Sequence, residues 1–449
     1  MNIPDDGLDP EPRPSSAALL TVWVMGIVTG VFGALIAKQL RGVDEEPDVA
    51  LYREVRDFAQ ASYVRELNKT EIVDLALDGL TRSLDEYSRY YDAEASAELD
   101  RDTAGRYAGL GALFQLIDGR RHVLFALSGG PAERAGLRVG DVVLEVDGIT
   151  VAGLDEEAFQ DLMRSTAGQR RALRLEGRDG IQRDVDLMPE ELLDPSVRHF
   201  HMVDPTRGLA YLSIHSFSRQ TSTEFDSAWR WLESQGARAL VIDLRGNLGG
   251  VLDAAVDLAR RFVADGPIVS TVGRFESEVQ SAVPSEATML GLPLVVLVDE
   301  HSASASEVLA GALQDHRAGV LVGAPTFGKG MVQTIRRFEP SGTSAKLTSA
   351  HYYSPSQRNF ERTMDGRDYG IRPDIEVAMT DDQRLAARVY NARYGPPVEA
   401  LADLEAWQQE LDQQLIAELP DDPQMRTALL LLAGERPIPG AVYSPAGDE

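Results

Sequence analysis

A multidomain chain of the α/β and α+β classes, with an α/β layer as its largest part, is predicted from three observations. From Gly208 onward, strand-like apolar runs alternate with amphipathic helical stretches, the order of a layered sheet. Ahead of it, residues 103–188 carry shorter strands punctuated by glycine turns. Ahead of both, residues 17–37 run 21 positions without a charge.

The balance of the chain is acidic. Lys and Arg number 44 against 71 Asp and Glu, a net charge of −27 over 449 residues. Binding phosphates needs a positive face, so nucleic acid is not an expected partner. An apolar content of 43% with 26% charged residues is that of a globular protein. The absence of cysteine excludes disulfides, thiolate catalysis and cysteine-ligated metal.

Residues 1–16 read as a polar, proline-bearing disordered tail. At about 1.5 Å per residue, the apolar stretch within 17–38 is long enough to cross a bilayer. A cleaved leader would want basic residues, whereas this one holds Asp5, Asp6, Asp9 and Glu11 with Arg13 alone, so a retained single-pass anchor is expected. Lys38 and Arg41 follow the span, and the positive-inside rule taken alone would place that end in the cytoplasm. Gly26 and Gly30 form a G-x-x-x-G pair of the kind that packs two spans together, although glycine is common in membrane helices.

A helical region is expected over 44–102, with Ile72, Leu75, Ala76 and Leu80 at helical spacing. In 103–188, Leu110-Gly111-Ala112 precedes an apolar strand, and Pro131 opens a short helix that Gly136 ends. The run 142–146 is a strand closing on the Asp147-Gly148 turn. Phe159, Leu162 and Met163 mark one face of a helix, and a hairpin turns through Asp179-Gly180. Over 189–378, strands are expected at 209–214, 239–244, 294–298 and 320–322, with helices between them. Helical stretches broken at Pro396-Pro397 and Pro420 fill a C-terminal extension, 379–449.

Two strings in the α/β layer carry chemistry: Ser302-Ala303-Ser304-Ala305-Ser306-Glu307 and Thr326-Phe327-Gly328-Lys329-Gly330. Loops at the carboxyl ends of parallel neighbours converge. The loops 245–250, 299–304 and 323–330 all follow expected strands, and one strand–helix–strand unit joins the last two. Ser304 with Glu307 forms a Ser-x-x-Glu capping box, which neither Ser302 nor Ser306 does. Capping alone would explain Ser304. A helix head also offers an oxyanion donor, the amide of Ala305, and Gly249 and Gly250 let a second backbone come close. A serine hydroxyl needs a base, which one of seven histidines, His301 nearest in sequence, or a neutral Lys329 would supply. Gly323 to Lys329 also matches the G-x-x-x-x-G-K start of a nucleotide loop. Gly330 then stands where the Mg²⁺-binding hydroxyl belongs, and a strand rather than a helix follows.

The strings GLGA and SGGPAERAGLRVGDVVLEVDG resemble a PDZ domain, whose loop amides, here those of Leu110, Gly111 and Ala112, hold a peptide's C-terminal carboxylate. Over about 50–378, SASASEVLAGALQD, TFGKGMVQT, LTSAHYYSPSQ and GIRPDIEV, in this order, resemble the C-terminal processing (tail-specific) serine peptidases. The resemblance implies a peptidase core with a Ser-Lys dyad: Ser304 as nucleophile, Lys329 as base, Gln333 helping to hold the lysine, and the amides of Ala305 and Gly250 as oxyanion donors. It implies no metal, nucleotide or other cofactor. Protein substrates with accessible C-termini are the expected partners, and a homo-oligomer and an adaptor protein are left open. The resemblance also places the catalytic part outside the cytoplasmic membrane, against the charge signal of Lys38 and Arg41. Three departures stand out: Asn-Leu before Gly249-Gly250, Glu86-Tyr87 where Pro-His is usual, and Gln357 where glycine is common. The rival readings are a PDZ-bearing tail-binding scaffold with a dormant core, and a nucleotide-binding loop protein.

Overall fold

The computed structural model describes residues 47–434 except 128, 165–168, 363–368, 413–414 and 416, and except the side chain of 399. The expected tail and membrane span therefore lie outside the described residues. No helix among those described is long and apolar enough to cross a membrane.

The chain divides into two compact units, 1–80 and 81–449. The described part of the first holds helix Pro47–Ser62 and most of helix Lys69–Arg82. Of the expected stripe on the second helix, Ile72 is buried whereas Leu75 and Leu80 are exposed. One correction concerns the helical reading of 44–102. Between Lys69–Arg82 and helix Ala93–Thr103 lies a strand, Arg89–Tyr91, in which Tyr90 and Tyr91, residues that favour strands, pair against Ala345 and Ser344.

In the second unit, an antiparallel sheet runs in the order Ala112–Ile117, Arg120–Ala126, Val142–Val146, Arg171–Glu176, Gln182–Leu187. Asp147 and Gly148 both take positive φ, which turns Val142–Val146 back onto Ile149–Thr150. Pro131 starts helix Pro131–Arg134. The Asp155 side chain accepts from the Ala158 amide and so caps helix Glu156–Met163. Phe159 and Met163 of that helix close a core with Val123, Val146, Leu173 and Leu175. This is the element order expected of a PDZ unit.

The larger sheet has six strands in spatial order: β1 Val197–Asp204, β2 Leu209–Ile214, β3 Ala239–Asp243, β4 Leu294–Val298, β5 Val320–Gly323 and β6 Ile375–Glu376. β1 is antiparallel to β2, and the rest are parallel. Leu240 and Ile242 face Phe225, Leu258 and Leu309 from helices Thr221–Ser234, Leu252–Arg260 and Ala305–Asp315. Val241, Val295 and Leu297 face the other way, toward Tyr390, Met425 and Ala428. Burial on both faces explains the unbroken apolar runs. Each such side chain contributes roughly 1.5–3 kcal/mol. Helices Asp381–Ala392 and Pro423–Leu432 are thus the second helical layer of this sheet rather than an appendage.

A second, antiparallel sheet stands beside the site. Its central strand Thr343–Tyr353 pairs along one edge with Met331–Phe338 and along the other with Pro267–Gly273 and Arg89–Tyr91.

Candidate active site

The register of the parallel strands brings the three glycine- and serine-bearing loops to one edge. Asp243 of β3 pairs with Leu297 of β4, and Val298 with Gly323 of β5, so the loops that follow start at the same level.

The loop after β3 is fixed by charge and by an amide. Arg245 is buried between Asp243 at 2.7 Å and Asp422 at 2.9 Å, while Gln424 Oε1 accepts from it at 3.2 Å. Asn247 donates to the Ile214 carbonyl, and its own carbonyl accepts from the Ala303 amide and the Ser306 hydroxyl. Gly249 and Gly250 then press against the serine turn. A Cβ on Gly249 would lie 2.8 Å from Ser304 Cβ, and one on Gly250 would lie 2.0 Å from the Phe217 carbonyl oxygen; their φ values of +99° and +145° suit glycine alone. The amides of Gly250 and Ala305 donate to no described residue.

The turn after β4 sorts its three serines. Ser302 donates to the Leu244 carbonyl at 2.9 Å and Ser306 to the Asn247 carbonyl at 2.9 Å, and both are fully buried. Ser304 is 8% exposed, and its hydroxyl lies close enough to the Tyr352 phenol to act on its titration. Its backbone, φ 56° and ψ −114°, is a conformation that costs an L-residue about 1–3 kcal/mol. Such a turn between a strand and a helix lifts a hydroxyl clear of the sheet. Burial pushes the Tyr352 phenol up to about 12, with the Ser304 hydroxyl pulling the other way. Tyr352 is therefore a neutral partner.

Glu307, at the third position of helix Ala305–Asp315, joins this turn to the lysine loop. Its Oε2 accepts from the amides of Ser304 and Lys329, each at 2.8 Å, so those two backbone nitrogens lie within twice that distance of each other. Oε1 accepts from the Thr326 hydroxyl at 2.6 Å and the Gly328 amide at 2.8 Å. The capping box read from the sequence is present, but Glu307 does much more than cap. Burial raises its carboxyl above the usual range, opposed by these four hydrogen bonds.

Lys329 is half-buried. Burial lowers its amine below the ordinary lysine value, and Lys346 adds to the effect, while Glu307, Glu361 and Glu86 oppose it. Its Nζ lies over the Tyr87 ring, 4.8 Å from the centroid, and does not hydrogen-bond to Ser304. Gln333 makes no hydrogen bond to the lysine side chain. Its amide donates to the Met331 carbonyl at 3.1 Å, because an irregularity between Val332 and Gln333 re-aims the side chain. The lysine loop runs into strand Met331–Phe338, which is wrong for a nucleotide loop.

No described histidine bonds Ser304. His301 turns to Arg388 instead, at 3.1 Å. Asp299, Glu300 and His301 form the one carboxylate–imidazole group among the described residues close enough to share an ion. Asp299, however, already accepts from the Gly246 and His301 amides, and a guanidinium beside His301 repels a cation.

In the smaller sheet, Leu110 and Gly111 donate their amides to no described residue, and their carbonyls accept from Ala132 and Leu127. Leu110, Ala112 and Phe114 line one side of a cavity of about 400 Å³, with Gln160, Met163 and Arg164 on the other and Tyr107 and Tyr394 beside them.

The loops of Ser304, Lys329 and the two glycines, expected at one sheet edge, do meet there, whereas the contacts of Asn247, Tyr352 and Tyr87 and the reach of Glu307 were not expected. The capping box flagged Glu307; no local pattern announced the other three.

Comparison with known proteins assigns two segments of the chain to families. Residues 208–377 match peptidase family S41, and residues 126–177 match a PDZ domain. A carboxy-terminal-processing protease of Bartonella bacilliformis is 30% identical over 367 residues, covering 79% of this chain and 82% of the relative. The carboxy-terminal processing protease CtpA of Bacillus subtilis is 30% identical over 328 residues, covering 73% and 68%. The solved structure of a photosystem II D1 C-terminal processing protease is similar at 28% identity and a TM-score of 0.43, covering 74% of this chain and 93% of that one. With this extent of likeness to full-length relatives, the chain belongs to peptidase family S41 and carries a PDZ domain.

Proposed function

We propose that this chain is a serine endopeptidase that cuts proteins near their C-termini, with Ser304 as nucleophile and Lys329 as general base. The observation that carries the assignment is the sorting of the three serines. Ser302 and Ser306 donate their hydroxyl hydrogen bonds to backbone carbonyls, whereas Ser304 sits on a strained turn whose amide shares one oxygen of Glu307 with the amide of Lys329. The names of the relatives support the reaction class.

Reaction begins when Nζ leaves the Tyr87 ring and turns to Ser304. The neutral amine takes the Oγ proton as Oγ attacks the scissile carbonyl, and the amides of Ala305 and Gly250 receive the oxyanion. The resulting ammonium protonates the leaving amine, which departs and leaves an ester on Ser304. The amine then activates a water that hydrolyses the ester. The PDZ groove takes the substrate's C-terminal carboxylate at the amides of Leu110, Gly111 and Ala112, with apolar side chains received among Leu110, Phe114 and Met163. A single span within 17–38 would hold the catalytic part on the extracytoplasmic face of the cytoplasmic membrane; the uncharged run supports the span, and a reporter fusion after residue 50 tests its orientation.

Full-length protein with Ser304→Ala or Lys329→Ala, given an unstructured protein with an apolar C-terminus, loses activity by about 10³-fold or more, with its melting profile kept. Wild-type activity in Lys329→Ala overturns the dyad.

A further inference from the structure

The loop Leu84-Asp85-Glu86-Tyr87-Ser88 is one of the places where the chain departs from the usual pattern of its family, and the mechanism above uses it only as the place from which Nζ departs. It is firmly held. Asp85 Oδ1 accepts from the Tyr87 and Ser88 amides and Oδ2 from the Ser88 hydroxyl, all at 2.7 Å. The Ser88 hydroxyl in turn accepts from the Thr348 amide at 3.1 Å. The next residues, Arg89–Tyr91, pair with Thr343–Tyr353, whose opposite edge carries the strand that follows Lys329. The Tyr87 ring is thus fixed to the same sheet as the lysine loop.

Lys329 Nζ lies 4.8 Å from the centroid of that ring, inside the roughly 6 Å at which a ring face attracts an ammonium. No described residue accepts a hydrogen bond from Nζ. Other charges surround the pair. Glu86 comes from the same loop, and Glu307 from the helix that Ser304 heads. Glu361 holds the Gly330 amide at 2.9 Å, and His351 and Lys346 come from the central strand, with Lys346 itself over Tyr91. The carboxylates act on the lysine by charge, without contact. The ring is the group it touches.

We propose that Tyr87 is a positioning residue for Lys329: its ring receives the ammonium in the resting enzyme and so sets the pH at which the amine is released to Ser304. The inference rests on the dyad reading. The ring stabilises the charged form alone, so removing its π face while keeping the site dry makes the amine easier to deprotonate. Activity then rises with pH from a lower starting point.

The test uses full-length protein in detergent and a fluorophosphonate, which reports the reactivity of Ser304 without a substrate. Labelling rate against pH is compared for wild type, Tyr87→Phe and Tyr87→Leu. Phenylalanine keeps the ring and the wild-type midpoint. Leucine keeps an apolar wall without a π face, and its midpoint falls by about 0.5–1.5 pH units. A leucine midpoint equal to or above that of phenylalanine overturns the proposal. If Tyr87→Leu labels too slowly to follow, the ¹³Cε resonance of Lys329 is titrated in Ser304→Ala with each Tyr87 variant, assigned by its loss in Lys329→Arg. The same ordering of midpoints is expected, and its absence is equally fatal. Failure of the dyad is distinct: Lys329→Ala would then keep full activity, whatever the Tyr87 variants do.

Discussion

Glu307→Gln tests the joint between the serine turn and the lysine loop. The carboxylate serves two donors on each oxygen, and three of the four are backbone amides that cannot become acceptors. Glutamine keeps one accepting oxygen. In its best orientation that oxygen stays with Ser304 and Lys329, and the new NH₂ faces Thr326 and Gly328. The Thr326 hydroxyl can accept from the NH₂, which leaves the buried Gly328 amide without a partner. One orphaned buried donor, with the loss of charge from the bonds that remain, costs about 2–4 kcal/mol. For a core of this size that is a fall of about 5–10 °C in melting temperature. A second effect has the opposite sense for chemistry. The Glu307 charge favours the Lys329 ammonium, so its removal lets the amine deprotonate at lower pH. Scanning calorimetry and pH-resolved fluorophosphonate labelling of the same preparation read both. A melting temperature within 1 °C of wild type, or a labelling midpoint that moves to higher pH, would refute the role given to Glu307.

Two other predictions follow from the geometry. Gly250→Ala puts a methyl against the Phe217 carbonyl oxygen and forces the loop away; labelling by fluorophosphonate falls about 10²–10³-fold, the value of one oxyanion donor, and a near-normal rate would remove Gly250 from that role. His199 and His201 are both held down to about 4 by burial, so the unfolded chain binds protons there that the folded chain refuses. Their contribution is complete above the unfolded value near 6.5 and is lost as pH falls from there toward 4, by up to about 3 kcal/mol each. Denaturant midpoints between pH 7 and pH 4.5 should fall less steeply in His199→Phe, whose ring keeps the stack on Tyr390, and an unchanged slope would discount it.

The parts of the fold that could be read from the sequence are those written locally. β2 to β5 are continuous apolar runs because both faces are covered, and the loops between them carry glycines and serines that a turn or a helix head requires. Ser304 and Lys329 were placed on one edge by a strand–helix–strand unit, which is a rule of chain connection rather than of side-chain chemistry. What escaped is set across the chain. β1 carries polar residues in Arg198, His199 and His201, and β6 is two residues long, so neither has a periodic signature. Met425 and Ala428 are ordinary helix residues until they meet Val241 and Leu297. Glu307 was seen through its contact three residues away, while three of its four partners include groups some twenty residues on. Gln333 was expected at the lysine by analogy of position, and a local irregularity in the strand turned it back on Met331.

The charge cluster at Arg245 ties the loop after β3 to helix Pro423–Leu432. The guanidinium that opens the glycine loop after β3 is shared between Asp243, on the preceding strand, and Asp422, at the head of the last described helix. Stripping one of two counter-charges from a buried cation costs about 3–5 kcal/mol. Helix Pro423–Leu432 and the glycine turn at 249–250, far apart in sequence, therefore hold or fail together: a change that unseats Asp422 reaches the loop beside Ser304 without touching it.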